Sequence, residues 1–109
     1  MTLIFNSDGF PVYFEQAPTI MVRDPLAEFL GAAEHGLMTY RYVDAVRLAG
    51  HSCPTVAGAY LMVCRGLKAL YGDDVPERGG IEVRMRDGRD EGTTGVVASV
   101  ATLLTGAAA

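Results

Sequence analysis

The spacing of apolar residues changes along this 109-residue chain, and each change marks an element. Residues 2–5 are apolar and β-prone, and Asn6-Ser7-Asp8-Gly9 reads as a turn. Residues 10–14 return with Val12 and Phe14 on one face, which predicts an N-terminal β-hairpin. Pro18 breaks any extension, and 19–22 form a short extended lead-in. A helical period follows. Asp24 serves as an N-cap carboxylate ahead of Pro25, and Leu26, Phe29, Leu30 and Ala33 form the apolar stripe. Gly36 is the expected stop, with His35 in the last turn beside exposed carbonyls. Residues 37–42 are ambiguous. Tyr40 and Tyr42 favour strand and a place in the core. Val43, Val46 and Arg47 favour one or two helical turns before Gly50.

The longest apolar segment opens at Gly50-His51-Ser52-Cys53-Pro54-Thr55. Proline at the first helical position loses no hydrogen bond, so Pro54 makes Cys53 the N-cap of a helix running to about Tyr71. Val56, Tyr60, Val63, Leu67 and Leu70 form its buried stripe. Gly58, Met62, Gly66 and Ala69 make a second face of mostly small residues. Two glycines inside a helix cost about 1 kcal/mol each relative to alanine. That cost implies close approach by another backbone, within the fold or across a dimer interface. Gly72 is the C′ residue, with Lys68 in the last turn. Residues 72–80 form a surface loop. Residues 81–87 then alternate strictly, with Ile81, Val83 and Met85 facing inward and Glu82, Arg84 and Arg86 outward, the clearest strand pattern in the chain. After a turn at 88–92, Asp90 and Glu91 precede Thr93 and Thr94, either of which can cap a helix over 95–104. Their carboxylates suit a helix start.

Composition narrows the function classes. One domain of this length can bury a core, and a hydrophobic fraction of 50% argues against disorder. A net charge of −4 argues against non-specific nucleic-acid binding, which needs phosphate neutralisation. Arg78, Arg84, Arg86 and Arg89 are interleaved with acidic residues and read as a solvated face. The uncharged run 92–109 carries three glycines and several hydroxyls and is too polar for a membrane span. The N-terminus lacks the pattern of a signal peptide. A soluble cytoplasmic protein is therefore expected, with no nucleic-acid or membrane partner. The two cysteines, Cys53 and Cys64, lie about 16 Å apart on one helix, beyond disulfide reach. Free thiols fit a reducing compartment.

The chemistry concentrates at His51 and Cys53. Unpaired N–H groups at a helix N-terminus favour thiolate over thiol, and the His51 ring, two residues upstream, can reach the sulfur. Thiolate and imidazole are preferred ligands of zinc and related transition metals. The plainer reading makes Cys53 a small buried cap and His51 a turn residue bonded to backbone, since His-x-Cys is a short pattern.

The Gly50-His51-Ser52-Cys53-Pro54 element, leading into a helix rich in small residues, resembles the FmdE family, which takes its name from a component of formylmethanofuran dehydrogenase. The preceding segment 43–49 and the helix 94–108, with Thr105-Gly106 near its end, resemble the flanking parts of that family. The resemblance covers roughly residues 40–72 and 90–108. It implies an α/β (α+β) fold with helices on a mixed four-stranded sheet, a metal, most often zinc, near the motif, and a homodimer. Under it, residues 1–109 form a single domain: 1–22 are the hairpin and lead-in, and 23–109 the core. The family fold continues into further strands, which implies a chain cut short at its C-terminus. Anchored on Thr105-Gly106, the resemblance puts a family cysteine near Val96, an aspartate near Ser99 and a second cysteine at Ala107. None of these ligand types is present. His51 and Cys53 carry over as metal ligands, with Glu91 as an additional candidate ligand or proton acceptor. Remaining donors would come from water, Asp90, His35, a small-molecule ligand or a partner subunit.

Three functions follow from these residues. The leading one is a metal-binding domain, accessory to a metalloenzyme system, that uses the His-x-Cys-Pro site. The second is a structural or dimerisation domain with a degenerate site. The third is an enzyme with Cys53 as nucleophile and His51 as base, for which the sequence offers no third orienting residue.

Overall fold

The computed structural model describes residues 4–85 and 94–107. The chain is of mixed α+β type. Strand β1 (Ile20–Arg23) is followed by helix α1 (Pro25–Phe29), strand β2 (Leu37–Tyr40) and helices α2 (Tyr42–Ala49), α3 (Pro54–Tyr71) and α4 (Thr94–Thr105). β1 and β2 pair antiparallel, with Val22 opposite Met38. The four-stranded sheet expected from the resemblance is smaller here. Among the described residues it comprises these two strands and an isolated parallel bridge between Arg23 and Glu77.

The N-terminal hairpin is only half formed. Asn6 builds the predicted turn, its side-chain oxygen accepting from the Asp8 and Phe10 N–H groups at 3.0 and 3.1 Å. Phe5 then bridges Pro11, but residues Val12–Gln16 wind into a 3-10 helix instead of returning as a strand. Winding carries Phe14 into the core while Val12 stays exposed. Phe14 meets Tyr42 edge-on at 5.0 Å between ring centroids, and Tyr42 meets Tyr60 at 5.5 Å. Burial of these rings outweighs the period-2 pattern of 10–14.

Asp24 caps α1 as predicted, accepting from the N–H groups of Leu26 and Ala27. The helix stops after one turn, well before Gly36. Gly31, at φ 72°, donates to Glu28 and the Ala32 N–H reaches back to Ala27, the bonding of a Schellman motif. The predicted stripe is consequently not buried: Leu26, Phe29 and Leu30 are 64%, 85% and 67% exposed. Gly36 has a different role. It sits at φ 72°, and a Cβ there would lie 2.6 Å from the Asp24 carbonyl oxygen. Only glycine lets the chain re-enter β2 so close to β1.

α3 runs from Pro54 to Tyr71 with Gly72 as its cap residue. Val56, Tyr60 and Leu67 are fully buried as predicted, joined by Ala59 and Cys64, whereas Leu70 is 72% exposed. α3 packs against α4 and α2. Val100 and Leu104 of α4 join the same core. Gly58 and Gly66 have no neighbour within 4 Å of an added Cβ, so among the described residues nothing approaches the small-residue face.

The strand predicted over 81–87 does not form within its described part: residues 81–85 have no regular structure. Residues 86 and 87 lie outside the described residues, as do Arg89, Asp90 and Glu91. Arg78 departs from the solvated-face reading. Its guanidinium pairs with Asp24 at 3.0 Å and donates to the carbonyls of Leu103 and Thr102 at the end of α4. Charge alternation in the sequence hides this clasp, because it depends on where α4 ends.

Candidate functional site

The site is built at the junction of α2 and α3. α2 ends at Gly50, which adopts φ 83° and lets the chain reverse. Residues 51–53 cross the gap, and Pro54 starts α3 with Cys53 as N-cap in an extended conformation. The local chemistry of Gly50 and Pro54 therefore fixes how far apart His51 and Cys53 can be.

His51 is exposed, and its Nδ1 lies 3.2 Å from the Ala49 carbonyl oxygen, the end of α2. When Nδ1 donates to that carbonyl, Nε2 is left as the free lone-pair nitrogen. Cys53 is half-buried and a free thiol. Its sulfur makes no side-chain cap hydrogen bond to the described N–H groups of α3. The Val56 N–H is nevertheless the largest influence holding the thiol below its ordinary range. Thr55 N–H and the His51 ring act in the same direction, and partial burial opposes them. The helix start is thus the main influence favouring the anion, with His51 a smaller one.

Tyr42 and Ser52 border the turn, their hydroxyls 2.6 Å apart. Cys64, the other thiol, is buried on α3, and burial pushes it up. It is inert packing within the core. His35 sits at φ 56°, exposed, with Glu34 at 3.8 Å.

His51 and Cys53 stand two residues apart at the start of α3, and no third donor joins them among the described residues. Among the described residues no group of three or more His, Cys, Asp or Glu side chains is placed to hold an ion. Glu91 and Asp90 lie outside the described residues. The His51 ring also opens onto a pocket of about 210 Å3 shared with Gly95, Val96 and Ser99 of α4. Val96 and Ser99 are the two positions at which the resemblance placed a cysteine and an aspartate. Here they supply a methyl pair and a hydroxyl, and the Ser99 hydroxyl is already bonded to the Gly95 carbonyl at 2.9 Å.

No known protein family, curated protein or solved structure matches this chain. The function must be argued from the site itself. Among the described residues no helix is long and apolar enough to cross a membrane.

Proposed function

We propose that this chain is a metal-binding domain in which His51 and Cys53 are the protein ligands of a divalent transition ion, most readily zinc. The observation that supports the reading is the placing of an imidazole two residues before a half-buried thiol that caps α3, where the helix N–H groups favour thiolate. A soft anionic sulfur beside a neutral ring nitrogen suits zinc in ligand type. Ala49 supports the imidazole from behind, the usual role of a carbonyl next to a metal-bound histidine. Such an ion, when bound with open positions, acts as a Lewis acid toward water or a small ligand. Two protein donors leave those positions to solvent, to a small molecule held against Val96 and Ser99, or to a second copy. The free thiols fit a cytoplasmic setting.

Elemental analysis of the purified protein beside His51→Ala and Cys53→Ser tests this. The reading predicts about one ion per chain in the wild type and its loss from both variants. Equal metal content in all three overturns it.

A second reading is a structural, homodimeric domain whose metal site is degenerate. The absence of a third donor among the described residues favours it, together with the open face around Gly58 and Gly66. It predicts no bound metal and ordinary reactivity at Cys53. The third reading, a thiol enzyme, shares the lowered Cys53 but has, among the described residues, no orienting group for His51 beyond a main-chain carbonyl.

A further inference from the structure

Two sets of unpaired main-chain groups among the described residues match one another. The first belongs to β1. The Arg23 N–H bonds to Pro76 and its carbonyl accepts from Arg78, so both groups point away from β2. Strand groups alternate in direction, which aims the N–H and C=O of Met21 the same way. Those of Met21 and Thr19 meet no described main-chain partner there. The segment leading to Pro76 splays away from β1 beyond Arg23. It leaves a groove of about 730 Å3 between Thr19–Met21 on one side and Asp74–Pro76 on the other. Cys64, Leu67 and Lys68 of α3 form the floor.

The second belongs to the irregular stretch 81–85. It carries the strongest strand pattern in the sequence, yet makes no main-chain hydrogen bond with any described residue. Arg84 bonds Glu82 at 2.8 Å, which puts these two side chains on one side, as in an extended strand. Ile81, Val83 and Met85 on the alternate positions are only half covered, while Glu82 and Arg84 are exposed.

We propose that the groove beside β1 receives residues 81–85 of a second copy as an added strand. The fit is one of pattern. A strand added there has one face on α3 and one in water, and 81–85 has one apolar and one charged face. Main-chain groups of Thr19 and Met21 supply the hydrogen bonds, and Ile81, Val83 and Met85 cover the groove floor. The chain's own 81–85 does not occupy this groove: it neither lines it nor makes a main-chain hydrogen bond with Thr19 or Met21. Residues 76–78 run parallel to β1, and the chain then turns, the Gly80 N–H donating to the Glu77 carbonyl, before 81–85 begins. Reciprocal exchange between two copies closes the pair about a two-fold axis and covers the open edge of β1 in each. This does not depend on the metal reading, because none of these residues touches His51 or Cys53.

Sedimentation velocity on the full chain tests it with variants on each side. Val83→Pro disables the donor strand without removing a bond the single chain uses. Met21→Pro disables the receiving edge at an N–H with no partner. Val75→Arg, on the groove wall, keeps the test open if Met21→Pro does not fold by circular dichroism. The wild type is expected to form a dimer, and each variant alone to be monomeric. A mixture of the donor-defective and edge-defective variants is expected to recover a heterodimer, since each keeps the half the other lacks. A monomeric wild type, a dimer that survives Val83→Pro, or a mixture that stays monomeric overturns the proposal. Dimers that survive the strand variants but break on Gly66→Glu would assign the contact to the face of Gly58 and Gly66 instead.

Discussion

Tyr60→Phe removes one oxygen from the centre of the molecule and tests the account of the core. Tyr60 is wholly buried, and its hydroxyl donates to the Pro18 carbonyl at 2.5 Å, with the Tyr40 carbonyl at 3.3 Å. Tyr40 lies in the β1–β2 ladder opposite Ile20, so its carbonyl keeps a sheet partner. The Pro18 carbonyl has no other described donor. The variant therefore leaves one inward-facing acceptor unsatisfied, at a cost of about 1–3 kcal/mol. The ring itself stays, so contacts with Tyr42 and the rest of the core are kept. For a domain of this size each kcal/mol moves Tm by about 4–8 °C, so a drop of at least about 4 °C is expected in thermal unfolding. Tyr42→Phe is the control. Its hydroxyl meets Ser52, an exposed residue that water can satisfy, and the expected cost is about 0.5 kcal/mol. If Tyr60→Phe is as stable as wild type, or if Tyr42→Phe is the more damaging, the reasoning fails.

Further predictions come from other residues. Cys53 should be alkylated by iodoacetamide before Cys64 near neutral pH, read by peptide mass spectrometry, because the helix start lowers one thiol and burial raises the other. His51→Ala should raise the pH midpoint of that reaction only modestly, since Val56 N–H is the larger cause; an unchanged midpoint would remove His51 from the site. Burial raises both Tyr60 and Cys64 above their unfolded values, so the folded chain resists their ionisation. That contribution is fully present at neutral pH and is lost as pH rises past about 8.5 for the thiol and about 10 for the phenol. Urea unfolding at increasing alkaline pH should therefore show falling stability, with a smaller fall in Tyr60→Phe. Gly36→Ala should destabilise by more than about 1 kcal/mol, given its positive φ and the Asp24 oxygen in the way, whereas Gly66→Ala should stabilise by about 0.4–1 kcal/mol. Urea midpoints of the two variants that move in the same direction would refute the reading of both glycines.

Helix α3 was legible because its signals are local: Pro54 at the start, Gly72 at the end, and Val56, Tyr60 and Leu67 at helical spacing between them. The same holds for the Asp24 cap and the Asn6 turn. The elements that sequence reading missed were settled by competition. Gly36 was read as the helix stop, but Gly31 comes first along the chain, and the Schellman bonds formed there. Phe14 was assigned to a strand face, but the aromatic contact with Tyr42 favoured a tight helical turn. For 81–85 the pattern was clear and the partner was missing, and alternation cannot supply a neighbouring strand. At the site, the nearness of His51 and Cys53 follows from two-residue spacing before Pro54. The pocket that His51 shares with Val96 and Ser99 could not be read from composition. It depends on how α4 crosses α2, and only the resemblance pointed at those positions.

The Arg78 clasp has a consequence for the order of folding. One guanidinium joins residues that are 54 and 25 positions away along the chain, Asp24 and Leu103. Closing such long loops is entropically slow, so these bonds should form after the barrier, once α3 and α4 have already packed. Arg78→Met should then hasten unfolding in stopped-flow experiments and leave refolding nearly unchanged. The grip of this one side chain would act as a latch: it sets how long the folded chain survives, and has little bearing on how quickly the fold is found.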